Sequence, residues 1–338
     1  MIFPKKGTAL APMRALTQAP FWRLLNRYGA PDAYFSEFVR VHEHYVIESA
    51  WIEEALAAVE GRPLWIQLMG NDLKALEASI RILEQYPIAG IDFNVGCPVP
   101  KIFKKQTGGG LLRDLPLLRS LLLGLRQTCT KPLSVKFRIG FDSDKDFETI
   151  LSILTEAQVD LATLHARTVS ELYKGQARHN FTQQAVRHCP FPILANGDIH
   201  SNSVMENVLD STHCHGLMIG RGALINPWIF KQWQQFQNDL PIQYPLFSEV
   251  FSYLETLYCT FELNAKKELT ALGVLKRFAN YIGLAIDSQG TFLQTMRRSR
   301  TLKEFWKCCA TYLLCEPQKL FTGIPFPNLY AQPNKEGL

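Results

Sequence analysis

The segment Gly90-Ile-Asp-Phe-Asn-Val-Gly-Cys-Pro-Val-Pro-Lys-Ile-Phe-Lys-Lys-Gln-Thr-Gly-Gly-Gly110 runs from a predicted strand into a lysine-rich loop that ends in three glycines. Gly96 leaves space beside Cys97, and Pro98 ends the strand directly after it. A free cysteine is usually buried as a small hydrophobic residue. Because Cys97 lies between Asn94 and the lysines of the loop, we expect its thiol to face a cleft that a ligand can enter.

Seven other short apolar or β-branched runs resemble this strand, and stretches with helical periodicity separate them. The eight predicted strands are residues 8–13, 33–39, 64–69, 90–95, 133–138, 161–165, 192–196 and 216–220. Eight successive strand and helix units close into a (β/α)8 barrel. The sequence therefore predicts an α/β protein built on a TIM barrel.

The pattern changes after Trp228, where strand signals stop and helical spacing continues to Cys315. We predict two domains, a catalytic barrel over residues 1–240 and a smaller helical bundle with a C-terminal tail over residues 241–338. Between Lys276 and Lys307 the bundle carries seven Lys or Arg residues against two acidic ones. A solvated helix face would have such a charge, and so would a surface that contacts the phosphates of a nucleic acid.

The composition of the chain excludes few functions. Its 338 residues are 47% hydrophobic, so it can bury a large core, and its net charge of +5 permits a polyanionic partner without requiring one. The eight cysteines are scattered and form no CxxC pair, which is typical of reduced cytosolic thiols. The sequence shows no signal peptide and no run of about 18 apolar residues, so we expect a cytoplasmic protein without a membrane partner.

Polar residues cluster at the C-terminal ends of the predicted strands. In a barrel this end carries the active site, whereas a doubly wound sheet places its site in a crevice. One polar residue near a strand end can be explained by a structural role alone, as a cap or an ion-pair partner. Here, however, such residues follow most of the strands. They are Gln67, Asn94, Cys97, Lys136, Arg138, His165, Arg167, Asn196, Asp198 and Arg221. This distribution favours the barrel.

The ends of the seventh and eighth predicted strands have the features of a phosphate site. Gly197 and Gly220 allow backbone N–H groups to approach a ligand closely, and Arg221 can donate two parallel hydrogen bonds to a phosphate. Barrels commonly bind phosphate at this position. No GxGxxG or GxxxxGK[ST] motif competes for the role, no cluster of His and carboxylate residues predicts a metal, and no GxSxG motif predicts a serine nucleophile.

The remaining strand ends indicate a flavin. Lys136 and His165 are expected to face the same opening, and a cation beside the pyrimidine edge of a flavin stabilises the anionic reduced ring. Gln67 is placed to bond to a carbonyl or imide group of that ring. An apolar surface beneath the ring is offered by the residues that end the first strand, Ala11, Pro12 and Met13.

Taken in order, these motifs resemble the tRNA-dihydrouridine synthases from residue 11 to residue 222. The most specific motif is Asn-x-Gly-Cys-Pro at residues 94–98, with the lysine and the glycines that follow it. The other matching segments are residues 11–13, 36–40, 67–70, 135–138, 165–168, 195–198 and 219–222.

The resemblance implies an FMN enzyme that reduces the C5–C6 double bond of a uridine in tRNA, with NADPH or NADH as the reductant. Cys97 is then the general acid that gives a proton to C5, and Asn94 orients the uracil. The uridine must leave the folded core of the tRNA, so we expect it to be flipped into the barrel. The residues implied to hold the cofactor are Ala11, Pro12, Met13, Gln67, Lys136, His165, Asn196, Gly197, Asp198, Gly220 and Arg221.

Two further segments, residues 37–41 and residues 275–281, resemble the bacterial DusC type, which is associated with position 16 of the D-loop. This resemblance implies that the helical domain binds tRNA, and we expect the protein to act as a monomer. The residues implied to contact the tRNA, besides Asn94, are Glu37, Lys276, Arg277, Asn280 and Arg298.

Two other functions stay open. A barrel similar to dihydroorotate dehydrogenase would use FMN on a free pyrimidine, but such a small substrate needs no basic helical domain. A barrel without a cofactor would serve as an RNA-binding scaffold, but it would not need the set of Cys97, Lys136 and His165. The absorption spectrum of the purified protein separates the scaffold from a flavoenzyme.

Overall fold

The computed structural model describes residues 2–43 and 46–330. Within these residues the chain forms nine strands: β1 (Gly7–Leu10), β2 (Ala33–Phe35), β3 (Val39–Arg40), β4 (Leu64–Met69), β5 (Gly90–Val95), β6 (Leu133–Arg138), β7 (Leu161–His165), β8 (Ile193–Asn196) and β9 (Gly216–Ile219). The helices among and directly after the strands are α1 (Ala19–Tyr28), α2 (Ser49–Ala58), α3 (Leu73–Leu83), α4 (Pro100–Phe103), α5 (Leu115–Thr128), α6 (Phe147–Glu156), α7 (Asn180–His188), α8 (Asn202–Thr212), α9 (Arg221–Ile225) and α10 (Ile229–Gln237). The later helices are α11 (Phe247–Thr260), α12 (Glu268–Ile282), α13 (Thr291–Arg298), α14 (Leu302–Leu313) and α15 (Pro327–Tyr330). Short 3-10 helices cover Gly108–Arg113, Leu263–Ala265 and Gly283–Ala285.

The strands form one closed parallel barrel. Consecutive strands from β4 to β9 pair with each other, β9 pairs with β1, and β2 closes the barrel by pairing with both β1 and β4. β2 pairs with the first part of β4, and β3 pairs with its last two residues, Leu68 and Met69. β2 and β3 together therefore occupy the second position of an eight-stranded TIM barrel. The predicted fold class is therefore confirmed.

The second barrel strand is interrupted, which the prediction of one continuous strand missed. Ser36 lies between β2 and β3, and its hydroxyl oxygen accepts a hydrogen bond from the backbone N–H of Gln67 at 2.9 Å. This side chain takes the place of a backbone acceptor, so the chain can leave the sheet before Val39. The first strand also ends earlier than predicted, at Leu10, shortly before Pro12, which cannot donate a hydrogen bond to the sheet.

Alternate residues of each strand face the two sides of the barrel wall. The outer residues, such as Ile66 and Phe93, are buried against the surrounding helices. The inner residues near the N-terminal end form a separate apolar layer around Phe35 and Trp65, whose rings stack at 5.5 Å. Gly90 makes room for this layer, because a Cβ there would lie 2.3 Å from the Trp65 ring. Towards the C-terminal end the inner residues become polar, and this change places the candidate site.

Helices α11 to α14 form a helical region after the barrel. α11 packs against α1, and α12 packs against α9. Arg277 on α12 donates to the carbonyl of Ala15, in the loop after β1, at 3.5 Å. The predicted domain boundary, between residues 240 and 241, falls in the segment between α10 and α11 and stays a prediction.

The chain after α14 returns to the barrel. The N–H of Phe326 donates to the carbonyl of Leu284 at 2.9 Å. α15 then brings Tyr330 to the loop after β8, with its ring 5.0 Å from that of His200. Among the residues that the structure describes, none of the helices combines the length and the apolar character needed to cross a membrane.

Candidate active site

A pocket opens where β1, β6, β7, β8 and β9 end. The residues that line it are Ala11, Pro12, Met13, Lys136, His165, Tyr173, Asn196, Gly197, Asp198, Ile199, Met218, Gly220, Arg221, Gly222 and Tyr330. The structure thus brings together every residue predicted to hold the cofactor except Gln67.

Lys136 has a fixed position on the inner wall of the barrel. Its Nζ donates to Oδ1 of Asn196 at 3.0 Å, while Nδ2 of Asn196 donates to the carbonyl of Met218 at 2.8 Å. Burial lowers the pKa of Lys136 to about 8; the charge of Arg138 acts in the same direction, and that of Asp92 opposes it. Lys136 is therefore mostly protonated at pH 7 and can stabilise negative charge on a ligand.

His165 is neutral, and its tautomer is determined by a neighbour. Burial, followed by the charges of Arg138 and Lys136, lowers the pKa of His165 well below 6.5. A guanidinium N–H of Arg167 lies 3.1 Å from Nε2 of the imidazole. Because a guanidinium only donates, Nε2 is the acceptor and the ring proton is on Nδ1. His165 therefore has one N–H donor, at Nδ1, for a ligand in the pocket.

A carboxylate joins two arginines beside the pocket. Asp198 pairs with Arg167 at 2.5 Å through one oxygen and with Arg221 at 3.0 Å through the other. Burial alone would raise the pKa of Asp198, but the hydrogen bond and the charge of Arg167 lower it, so the carboxyl group stays ionised. Gly197 has φ 118°, which L side chains rarely adopt, and Asp198 follows at φ 52°. This turn holds the carboxylate between the arginines.

The pocket fits a ligand that carries a phosphate. Lys136 and Arg221 line it, Arg167 lies beside it in an ion pair with Asp198, and Asp198 is the one acidic residue among the described residues that line it. Buried positive charge is unfavourable unless an anion neutralises it. Hydrogen-bond donors on two sides of the pocket, Arg221 on one and Lys136 on the other, suit a ligand with an anionic group at one end and hydrogen-bond acceptors at the other. In the described part of the chain, no group of three His, Cys, Asp or Glu side chains is placed to hold a metal ion.

Cys97 lies beyond the end of β5, with its side chain partly buried. Its backbone N–H donates to Oδ1 of Asn94 at 3.0 Å, and its carbonyl accepts from the N–H of Gly109 at 3.1 Å. Glycine is needed at position 108, because a Cβ on Gly108 would lie 2.9 Å from Cβ of Cys97. Burial raises the pKa of the Cys97 thiol, and the nearby charge of Arg138 only partly opposes this. The thiol is therefore protonated at neutral pH.

Gln67 is fully buried, and both ends of its amide have partners. Nε2 donates to Oδ2 of Asp92 at 2.6 Å, and Oε1 accepts from Nδ2 of Asn94 at 2.8 Å. Oδ1 of Asn94 accepts in turn from the backbone N–H groups of Gly96 and Cys97. Gln67 thus joins the barrel interior to the Cys97 loop, and its predicted contact with the cofactor stays a prediction.

Two tyrosines contribute to the pocket that the sequence analysis did not identify. Tyr173 lies in the loop after β7, and Tyr330 ends α15. The guanidinium of Arg221 lies 5.5 Å from the ring centre of Tyr173 and 4.8 Å from that of Tyr330. Tyr173 could have been found from the sequence, because it lies in a loop at the catalytic end of the barrel. The sequence carries no such signal for Tyr330, because this residue is far along the chain from the last strand.

Glu37, predicted to contact tRNA, is held by the loop after β1. Its Oε1 accepts from the N–H of Leu16 at 3.2 Å. Burial raises the pKa of Glu37, whereas hydrogen bonds from the backbone of Ala15 and Leu16 oppose this shift. This carboxylate therefore supports the loop that Arg277 of the helical region contacts.

The other residues predicted to contact tRNA lie on α12 and α13. Nζ of Lys276 donates to the carbonyl of Arg297 at 2.8 Å, and Oδ1 of Asn280 accepts from Nε of Arg297 at 2.6 Å. These two side chains therefore join α12 to the end of α13. Arg277 and Arg298 are exposed, so they are available to a large partner.

A parallel barrel with a pocket at the C-terminal ends of its strands is the architecture of TIM-barrel enzymes, whose active sites lie at this end. Among solved structures, the old yellow enzyme homologue from Zymomonas mobilis has a similar fold, with a TM-score of 0.50 and 12% identity over 70% of this chain and 89% of that chain. The likeness concerns the fold.

Similarity in sequence is more specific. The family described as Dihydrouridine synthase (Dus) matches residues 9–314. The "Probable tRNA-dihydrouridine synthase" of Aquifex aeolicus (strain VF5) is 32% identical over 250 residues, which cover 72% of this chain and 77% of the relative. The "tRNA-dihydrouridine(16) synthase" of Neisseria meningitidis serogroup B (strain ATCC BAA-335 / MC58) is 29% identical over 312 residues, which cover 89% of this chain and 92% of the relative. The chain therefore belongs to the dihydrouridine synthase family and is a flavin-dependent oxidoreductase.

Proposed function

We propose that this protein reduces the C5–C6 double bond of a uridine in tRNA to 5,6-dihydrouridine, with FMN as its cofactor and NADPH, or NADH, as the electron donor. The observation that carries the proposal is the partly buried thiol of Cys97, which follows β5 at the end of the barrel where Lys136 and Arg221 line a pocket. Reduction of a carbon–carbon double bond needs a hydride and a proton, and the two parts of the site fit these two needs. The relative named tRNA-dihydrouridine(16) synthase supports position 16 as the target.

The pocket residues would hold FMN at two ends. Arg221 and the turn at Gly197 and Asp198 would bind the phosphate. Lys136 and the Nδ1–H of His165 would donate to the ring, where a cation stabilises the negative charge of the reduced form. When bound, FMN supplies the hydride that adds to C6 of the uracil.

Cys97 would supply the proton. Addition of hydride at C6 leaves negative charge at C5, and a positioned donor avoids a free carbanion there. Because burial raises the pKa of the thiol, Cys97 keeps its proton at neutral pH until such a base is next to it. Its backbone bonds to Asn94 and Gly109 hold the donor in one place. Solvent then returns a proton to the sulfur.

The tRNA would be held by the helical region while one uridine enters the barrel. A base in the folded core of a tRNA has to be flipped out before its C5 and C6 atoms can be reached. Arg277 of α12 is exposed and contacts the loop after β1, so this cation lies at the end of the barrel that carries the site. Phosphate contacts there would orient the tRNA by its shape and charge.

The proposal is tested with the purified protein, FMN, NADPH and an unmodified tRNA transcript. We expect a yellow protein and one dihydrouridine per tRNA, located at position 16 by mass spectrometry of nuclease digests. A transcript with cytidine at position 16 is the matched control and should gain none. Reduction at a different uridine would contradict the target position but not the reaction. A protein that does not bind FMN would contradict the proposal as a whole.

The alternative with a free pyrimidine is tested in parallel. Dihydroorotate should neither reduce the bound flavin nor compete with tRNA. A yellow protein that oxidises dihydroorotate and leaves tRNA unchanged would favour that alternative.

A further inference from the structure

A buried carboxylate lies beneath the Cys97 loop, and hydrogen bonds link it to that loop. Asp92, on β5, is fully buried. It accepts from Gln67 at 2.6 Å, and Gln67 accepts from Asn94 at 2.8 Å. Asn94 then accepts from the backbone N–H groups of Gly96 at 3.1 Å and Cys97 at 3.0 Å. We call this chain of hydrogen bonds the Asp92 relay. The proposed function assigns no role to Asp92.

The chemistry of each group gives the relay a direction. An ionised carboxylate only accepts, so Gln67 must turn its Nε2 towards Asp92. This leaves Oε1 of Gln67 for Asn94, which must therefore turn its own Nδ2 towards Gln67. Oδ1 of Asn94 is then the atom that meets the two backbone N–H groups, which only donate. If either amide were reversed, two donors or two acceptors would face each other.

We propose that Asp92 is a positioning residue for Cys97, because its carboxylate is the buried acceptor that holds Gln67, and Gln67 in turn holds the Asn94 side chain that binds the backbone of the Cys97 loop. The value of this positioning for proton transfer rests on the proposed function. The positioning itself depends on neither FMN nor tRNA. An apolar side chain at position 92 would leave the buried Nε2 of Gln67 without its acceptor, whereas an amide there could still accept through its oxygen.

The competing explanation is a general electrostatic role inside the barrel. Burial raises the pKa of Asp92 to about 6, and the hydrogen bond from Gln67 and the charge of Lys136 oppose this shift. Loss of the carboxylate would therefore also remove a partner of Lys136 and change the stability of the fold. Such a loss of charge does not by itself weaken the hydrogen bonds of Asn94. The test must therefore follow those hydrogen bonds.

Hydrogen exchange at the backbone amides of Gly96 and Cys97 reports on the last step of the relay. Asp92→Leu should speed exchange at both amides roughly 10-fold, in a protein whose circular dichroism still shows the native fold. Asp32→Leu is the matched control, because Asp32 accepts from the N–H and the hydroxyl of Thr8 outside the relay. It should leave exchange at the two amides unchanged.

Asp92→Asn separates the relay from a general electrostatic role. Its amide oxygen can accept from Nε2 of Gln67 as the carboxylate does, but the negative charge near Lys136 is lost. We expect exchange at both amides to stay within about 2-fold of the native rate, which a general electrostatic role would not produce.

Gln67→Met breaks the relay in the middle and leaves both ends in place. It should speed exchange at Gly96 and Cys97 as much as Asp92→Leu, and it replaces that variant if Asp92→Leu does not fold. Native exchange rates in folded Asp92→Leu or Gln67→Met, or exchange in Asp92→Asn as fast as in these variants, would overturn the proposal. Because no cofactor or substrate is used, these results are independent of whether tRNA is reduced.

Discussion

The thiol of Cys97 combines a raised pKa with a backbone held at both its N–H and its carbonyl. Cys97→Ala removes the proton donor and keeps both backbone contacts. We expect tRNA reduction to fall about 10²–10⁴-fold, the usual effect of losing a general acid, while FMN content and tRNA affinity stay native. Single-turnover formation of dihydrouridine by the prereduced enzyme measures this.

Two further variants control that experiment. Cys315→Ala changes an exposed thiol and should have no effect. Cys97→Ser should stay close to Cys97→Ala, because a hydroxyl is a much weaker acid than a thiol. Near-native reduction by Cys97→Ala would show that the proton comes from another group.

Lys136 should give cofactor binding a pH dependence. Its pKa is lowered to about 8 by burial, so in the protein without ligand its ammonium group loses charge as the pH rises through about 8. The pKa of Asp92, about 6, lies below this range, and the raised pKa of Cys97 lies above it. We expect the affinity for FMN to fall roughly 10-fold between about pH 7 and pH 9, the effect of losing one charged hydrogen bond.

Fluorescence titration of the protein freed of flavin measures this affinity. Lys136→Met should bind FMN weakly at both pH values, whereas Lys131→Met, a change outside the pocket, should keep the native pH dependence. Equal affinity of the native protein at both pH values would mean that Lys136 makes no contact with the cofactor.

Among the elements, α15 closes one side of the pocket although it lies near the end of the described chain. Tyr330 places its ring 4.8 Å from the guanidinium of Arg221. Tyr330→Ala should raise the dissociation constant of FMN about 3- to 10-fold, because a partly buried cation–π contact that holds Arg221 is lost. Calorimetric titration checks this. Tyr244→Ala changes an exposed tyrosine outside the lining of this pocket and is the control. Equal dissociation constants of FMN in the two variants would show that α15 does not contribute to cofactor binding.

In the whole molecule, the helical region supplies the cationic surface. Lys276 differs from its neighbours because its ammonium group bonds the end of α13, so its loss would also lower stability. Arg277→Ala with Arg298→Ala should weaken tRNA binding and flatten the slope of log affinity against log salt by roughly 0.7–0.9 for each lost phosphate contact. Filter binding over a series of salt concentrations measures the slope.

The matched control removes the same charge from the outside of the barrel. Lys74 and Arg187 are exposed on α3 and α7, and replacing both with Ala should leave the slope native. Reduction of the bound flavin by NADPH should be native in both double variants. If the slope is the same for both, the cations of the helical region are only solvated surface.

The parts of this architecture that could be predicted are those in which neighbours in the sequence are also neighbours in space. Strand alternation predicts the barrel, and because parallel strands end together, it also predicts that Lys136, His165 and Asn196 meet. The interruption at Ser36 could not be predicted, since it depends on a hydroxyl replacing a backbone acceptor. Tyr330 could not be predicted either, because its position depends on how the tail packs on distant helices.

The contact between α9 and α12 has a consequence for building chimeras. α9 begins at Arg221, and Arg277 on α12 reaches the loop after β1, so the helical region supports the part of the barrel where we propose that the phosphate binds. A graft that replaced this helical region with that of a relative would change the support of Arg221 together with the surface proposed to bind tRNA. Transplants intended to redirect the enzyme to another uridine should therefore carry α9 and the loop after β1 along with the new helices.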